Sequence, residues 1–229
     1  MRTWIEIQLD VLFARDADGR LVATRDPAPR PAPRLFLSRS PERTIWAVRA
    51  DVDAPTRRAL DAVCAAEPPP GTLHADGSPL CREAVLALLA PVASEWRGPA
   101  YVLPDELPHD PRARVVTGRD AHLWREAFPW LGDCFDAVAP VAIAFADGRA
   151  ASVCHSPRGR TSAAAEAGVE TLAAFRDRGL ATAAVACWAR AVQRSGRAAL
   201  YSTSWQNAAS QRVAQRLGAR LHGENWHLH

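Results

Sequence analysis

GVETLAAFRDRGLATAAVACWARAV, residues 168–192, is the stretch on which the fold turns. It opens with strand-like alternation, passes through a short connection, and at Arg176-Asp177-Arg178-Gly179-Leu180-Ala181-Thr182 starts a helix expected from about Arg178 to Ser195, stopped by Gly196. Helices ordinarily place acids in the first turn, against the positive end of the dipole. Here two arginines flank one aspartate, and Gly179 lets a ligand approach the backbone closely. Free N–H groups, the dipole and cationic side chains together make a seat for an anion, and a pyrophosphate would suit it. The plainer reading is an exposed arginine pair in an arginine-rich chain.

Outward from this segment the second half alternates short elements. Strands are expected over 114–117, 138–145, 151–154 and 164–171, with a helix over 121–130 and a hairpin turn at Ala146-Asp147-Gly148-Arg149. A strand over 198–204, a helix over 208–217 capped by Asn207 and Gly218, and short strands through Leu221 and Trp226 complete it. In the first half Trp4, Ile5, Ile7, Leu9, Val11 and Phe13 alternate with polar residues and predict a strand, joined through DADGR (16–20) to a second strand over 21–24. DPAPRPAPR (26–34) must be an extended surface loop. A strand over 44–49, helices over 55–66 and 80–89 and a short strand over 100–103 follow. PDELPHDP (104–111) breaks regular structure and divides an N-terminal α/β subdomain, 1–111, from a second domain, 112–229.

Composition narrows the chemistry. The 229 residues, 48% apolar and 23% charged, suffice for one large or two small cores. All 28 basic residues are arginine. A Schiff-base lysine and the lysine of a Walker phosphate loop are both ruled out. Residues 1–111 hold 13 Arg against 16 acids and residues 112–229 hold 15 against 9, so the net +3 splits into −3 and +6. An anionic ligand is therefore better placed on the second half. The cysteines, Cys64, Cys81, Cys134, Cys154 and Cys187, form no C-x-x-C pair and read as reduced, mostly buried thiols. Glu6, Gln8 and Asp10 interrupt any signal-peptide core, and no apolar run reaches about 18 residues, so no membrane contact and a cytoplasmic location are expected.

Arg176, Gly179 and Ala181 match the Arg/Gln-x-x-Gly-x-Gly/Ala signature of the GNAT superfamily of N-acetyltransferases, which residues 112–229 resemble. Glu166, Gly168 and Thr171 match the E-x-G-x-x-T strand of a bacterial branch, and Tyr201–Ser204 with Asn207–Gly218 match its following strand and helix. The resemblance implies an α/β (α+β) fold with a mixed central sheet splayed in the middle and flanked by helices. Acetyl-coenzyme A would lie in the opening as cosubstrate, with no metal. Val169 and Thr171 would bond the pantetheine arm, and the amides of Arg178, Gly179, Leu180, Ala181 and Thr182, after Arg176, would hold the pyrophosphate. Asn207 and Ser210 would contact the far side of the arm. The activity implied is acetyl transfer to a small-molecule or peptide amine by direct attack in a ternary complex.

The tyrosine that many members carry seven residues after the asparagine is Ala214 here. A coenzyme A thiol with a pKa of about 8.5 leaves tolerably without a general acid, and Ser204, Ser210 and Tyr201 are substitutes. Glu166 and Glu170, four apart on one strand, share a face unless a bulge intervenes, and either could accept the amine proton. His155 is a further candidate. His222, His227 and His229 read as exposed imidazoles on a terminal strand rather than metal ligands. The eight tryptophans are dispersed and do not suggest nucleic-acid binding. A non-catalytic acyl-coenzyme A sensor or interaction module is the alternative function. The N-terminal half would shape the acceptor pocket, and a homodimer is left open.

Overall fold

The computed structural model describes residues 2–157 and 161–229. Its N-terminal segment corrects the expected strand: Trp4–Leu12 is a helix, α1. The Glu6 carboxylate accepts from the Thr3 backbone N–H at 2.7 Å and from its hydroxyl at 2.9 Å, closing the first turn. The same apolar residues also recur at helical spacing, and Ile5, Gln8, Leu9 and Leu12 form the buried face. The hairpin persists in short form, β1 (Phe13–Arg15) against β2 (Leu21–Thr24). After the proline-rich loop come β3 (Leu35–Arg39), β4 (Thr44–Val48), α2 (Ala54–Ala65), α3 (Arg82–Leu88) and β5 (Glu95–Val102), the last longer than expected.

The second half comprises β6 (Ala113–Val116), α4 (Ala121–Trp124), α5 (Phe135–Val138), β7 (Val141–Ala146), β8 (Arg149–His155), β9 (Ala164–Glu166), β10 (Gly168–Thr171), α6 (Leu180–Arg194), β11 (Ala198–Ser202), α7 (Ala208–Arg216) and β12 (Arg220–Leu228). The helix expected over 121–130 keeps little beyond its first turn, since the backbone before Pro129 disfavours helix and a 3-10 turn follows over Pro129–Asp133. The strand expected from 138 begins at Val141, because Pro140 has no N–H to give a ladder. The two short terminal strands are one, β12, with a bulge between Leu221 and Gly223.

The strand expected over 164–171 is shared between two sheets. Gly168–Thr171 is the edge of a four-stranded antiparallel sheet ordered β10-β8-β7-β6, while Ala164–Glu166 pairs parallel with β11 in a six-stranded sheet ordered β4-β3-β12-β5-β11-β9. The six-stranded sheet draws β3, β4 and β5 from the first half and β9, β11 and β12 from the second. The segment between the halves is fastened to α6, whose Arg190 and Gln193 donate to the Pro108 and Pro104 carbonyls at 2.8 Å.

Alternation sorts the side chains to two sides. Ala165, Ala167, Ala199 and Tyr201 pack with Ala184 and Trp188 of α6. Ala164, Leu200 and Val102 pack with Val11 of α1, and Ile143 and Val153 with Trp124 of α4. Helix α6 therefore covers one side of the split sheet, and α1 and α4 the other.

The two halves are also joined electrostatically. Glu224 of β12, 1% exposed, accepts from Arg39 at 2.6 Å, from Arg97 at 2.9 Å and from the Trp205 indole at 2.5 Å. Arg39 also donates to buried Glu67 at 3.1 Å. Two guanidinium groups thus meet two carboxylates. Beside them β5 passes so close to the end of β11 that a Cβ on Gly98 would sit 1.9 Å from the Thr203 carbonyl oxygen.

The exposed terminal histidines are corrected as well. β12 is interior, between β3 and β5, so His222 and His227 are buried, and only His229 of the three is exposed. The thiols are free, with Cys64, Cys81, Cys154 and Cys187 buried. Among the described residues no helix is long and apolar enough to cross a membrane, and no cluster of three His, Cys, Asp or Glu could hold a metal.

Glu224→Ala, which removes the buried carboxylate shared by Arg39 and half-buried Arg97 and leaves Arg39 only Glu67, should lower the unfolding free energy by about 3–5 kcal/mol in urea titrations at neutral pH. Burial pushes His222 from its ordinary 6.5 down to about 3. Its neutral ring therefore stabilises the fold above pH 6.5, and that contribution is lost as the pH falls toward 3. His222→Phe should spare about 2 kcal/mol of the loss between pH 7 and pH 5, read from urea midpoints at the two pH values.

Candidate active site

The two sheets part at Ala167. Its N–H donates to the Leu200 carbonyl at 2.9 Å, and from Gly168 onward the chain pairs with β8 instead. An opening results between β10 and β11. The Leu172 N–H donates to Ala151 at 3.0 Å, and hydrogen-bonded pairs alternate along an antiparallel ladder. The backbone groups of Gly168 and Glu170 are thus turned to β8, and those of Val169 and Thr171 face the opening. The Val169 side chain packs toward α6, and the Thr171 hydroxyl bonds Ser152 at 2.8 Å.

At the end of this opening stands the start of α6. Asp177 and Gly179 both take positive φ, 60° and 76°, which turns the connection from β10 into the helix. A Cβ at Gly179 would meet Arg112 at an ordinary 3.7 Å, so the backbone conformation, not crowding, calls for glycine. Asp53 caps α2 and Asn207 caps α7, yet α6 has no side-chain cap and no acid in its first turn. The first amides of a helix lack intrahelical partners, so those up to Thr182 are available. The Thr182 hydroxyl, buried in this turn, has no hydrogen-bond partner among the described residues.

Arginines surround these amides. Arg178 pairs with Asp147 at 2.9 Å, and Arg112, paired with Asp110 at 2.7 Å, donates to the Arg178 carbonyl at 3.1 Å. Arg176 is exposed nearby in sequence. Such solvent-exposed ion pairs are screened by water and hold their partners weakly, so the guanidinium groups can turn to a phosphate at little cost. Arg112 was not marked by any sequence motif; it arrives from the turn immediately before β6.

Asn207 is engaged as the cap of α7, its Oδ1 accepting from the Ser210 N–H at 3.0 Å. The Ser210 hydroxyl meets the Tyr201 hydroxyl at 2.6 Å, so two of the three substitutes for the missing acid are joined. The third, Ser204, lies half-buried beyond β11, where its carbonyl accepts from Asn207 and Gln211. Ala214 is wholly buried in the α6 core.

The two glutamates keep the same parity across the change of sheet. Glu166 lies on the α1 side, and Glu170, opposite Val153 on the ladder, lies on the α4 side, which is the same side of the split sheet. Their surroundings differ. Glu170 is exposed, whereas Glu166 is 3% exposed and accepts from Gln8 at 2.7 Å and from Ser202 at 2.6 Å. His155 packs against Trp130 with ring centroids 4.9 Å apart, and burial pushes it down to about 4. Gln8 and Ser202 went unmarked in the sequence, Gln8 because its segment read as a strand.

A GNAT-family acetyltransferase from Colwellia psychrerythraea aligns over 80% of this chain and 75% of its own, with a TM-score of 0.51 at 11% identity. The chain has the GNAT fold. A GNAT-family structure from Novosphingobium aromaticivorans is 20% identical over 60% of this chain, which spans 65% of that one, with a TM-score of 0.46. An aminoglycoside N-acetyltransferase solved in complex with coenzyme A is 25% identical over 46% of this chain and 89% of its own, with a TM-score of 0.36. No protein-family model and no curated protein matches the sequence. At these identities the GNAT likeness is one of architecture.

Burial pushes Tyr201 from 10 up to about 12 and raises Tyr101 as well. The folded protein therefore keeps phenolic protons that the unfolded chain releases: this stabilisation is complete below pH 10 and is lost as the pH rises toward 12. Tyr201→Phe should remove a stability decline of about 1.4 kcal/mol per pH unit above 10, measured by chemical denaturation.

Proposed function

We propose that the chain is an acetyl-coenzyme A-dependent N-acetyltransferase acting on a small-molecule or peptide amine. One observation carries the reading: a strand edge with outward-facing backbone groups, at Val169 and Thr171, leads directly to an uncapped helix start ringed by arginines. An extended amide-bearing arm ending in a pyrophosphate has this sequence of binding needs. Arg176, Arg178 and Arg112 would neutralise the phosphates, the amides from Arg178 to Thr182 would bond them, and Asn207 and Ser210 would border the arm.

In the reaction the amine nitrogen bonds to the thioester carbonyl carbon, the carbon–sulfur bond breaks, and coenzyme A departs as a thiolate. Backbone N–H groups at the opening stabilise the oxyanion. Glu166 takes the amine proton; Glu170, on the same side but exposed, is the second candidate. The thiolate of a thiol with a pKa of about 8.5 needs little acid assistance, which is compatible with Ala214, and Tyr201, Ser210 and Ser204 are the candidate hydroxyl groups for that role. Helix α1, on the side of Glu166, makes the N-terminal half one wall of the acceptor site.

Ala214 also favours a second reading, a non-catalytic acyl-coenzyme A sensor. Calorimetry with acetyl-coenzyme A and thiol release over an amine panel separate the two. Binding with release supports the transferase; binding without release supports the sensor; no binding refutes both. Gly179→Val, forced into a backbone region costing about 1–3 kcal/mol for a branched residue, should weaken acetyl-coenzyme A binding at least about tenfold in the same calorimetric assay.

A further inference from the structure

Ser202 and Gln8 lie outside the cofactor seat, yet both bond the carboxylate at the mouth of the opening. The Ser202 hydroxyl donates to Glu166 Oε1 at 2.6 Å, and Gln8 Nε2 donates to Oε2 at 2.7 Å. Gln8 is wholly buried and Glu166 nearly so, while Ser202 is half-buried, so the serine is the accessible end of this chain of bonds. The Gln8 amide is turned with its donor to the carboxylate, and its own Oε1 has no partner among the described residues. That orientation serves an ionised carboxylate, which accepts but cannot donate.

We propose that Ser202 relays a proton from the acceptor amine to Glu166, and that Gln8 of α1 is the positioning residue holding the carboxylate ionised and aimed at the serine. The relay rests on the transferase reading above. The ammonium proton of the bound acceptor passes to Ser202 Oγ while the Ser202 hydroxyl proton passes to Glu166 Oε1; the neutral nitrogen then bonds to the carbonyl carbon, the carbon–sulfur bond breaks, and the departing thiolate takes the second nitrogen proton. The serine ends unchanged and the carboxyl protonated; that proton later returns to solvent.

Several titratable groups on the surrounding elements are held away from neutral pH. Tyr201 of β11 and Tyr101 of β5 are raised by burial, and His222 of β12 is held near 3. On α1, Glu6 is bonded by Thr3 and Asp10 by Arg15 and Arg2, and both lie below the usual carboxylate range. Glu170 of β10 is exposed, and Arg220 of β12 lies over the Trp4 ring.

The test uses the full chain with acetyl-coenzyme A and any amine that supports thiol release. Ser202→Ala should lower kcat about 10²-fold at pH 7, with acetyl-coenzyme A affinity within about twofold, since Ser202 makes no cofactor contact in this scheme. The deficit should shrink above pH 9, where more of the amine is already deprotonated. Ser202→Thr, which keeps the hydroxyl, should recover most of the rate and serves should the alanine variant fail to fold. Gln8→Leu should move the acid limb of kcat/KM upward by about one pH unit, because the carboxylate loses a bond to its charged form. An active wild type with unchanged Ser202→Ala turnover, a loss equal at every pH, or a threonine variant no better than alanine overturns the relay alone. A wild type that does not bind acetyl-coenzyme A overturns the transferase reading and the relay together.

Discussion

The hydrogen bond from Ala167 to Leu200 is the constraint from which the candidate site follows. Up to that bond the chain belongs to the six-stranded sheet; one residue later it belongs to the other. Parting two strands leaves backbone groups without ladder partners, which a fold tolerates only where something else holds the flanks. On one flank Glu166 is tied to α1 and to β11; on the other, Ser152 bonds both the Glu170 carbonyl and the Thr171 hydroxyl. Side-chain hydrogen bonds thus fix both lips of the opening, and α6, packed across β7, β8, β10 and β11, fixes its depth.

The first half of the chain is built into this arrangement rather than set beside it. β5 runs between β11 and β12, Gly98 admits the crossing of Thr203, and Glu224 draws Arg39 and Arg97 onto the last strand. Any acceptor reaching the opening from the α1 side meets residues of the first half. Residues 1–111, which carry a net negative charge, thus supply the α1 side of the opening.

Local chemistry was legible in the sequence where it was self-contained. The Asp147-Gly148 turn, the glycine before α6 and the Asn207 cap each depend on a few consecutive residues, and each stands where the sequence placed it. The N-terminal helix was readable in part: the Thr3–Glu6 capping pair was present, but the apolar spacing fits a strand as well as a helix. The partners of Glu166 were not legible, since Gln8 lies 158 residues away and the contact exists only once β9 and α1 are stacked. The same holds for Arg112, brought to α6 across 66 residues, and for the histidines of β12, whose burial depends on neighbours from the opposite end of the chain.

That placement of β12 has a consequence for how the protein comes to be folded. β3 and β5 lie on either side of residues 220–228 and cannot pair with each other in the native order, so both wait for a strand more than a hundred residues downstream. During synthesis the first half must be kept from pairing prematurely, and the four-stranded sheet, with its sequential antiparallel neighbours, can form earlier. The central sheet is closed by a strand made more than a hundred residues after the two strands it joins.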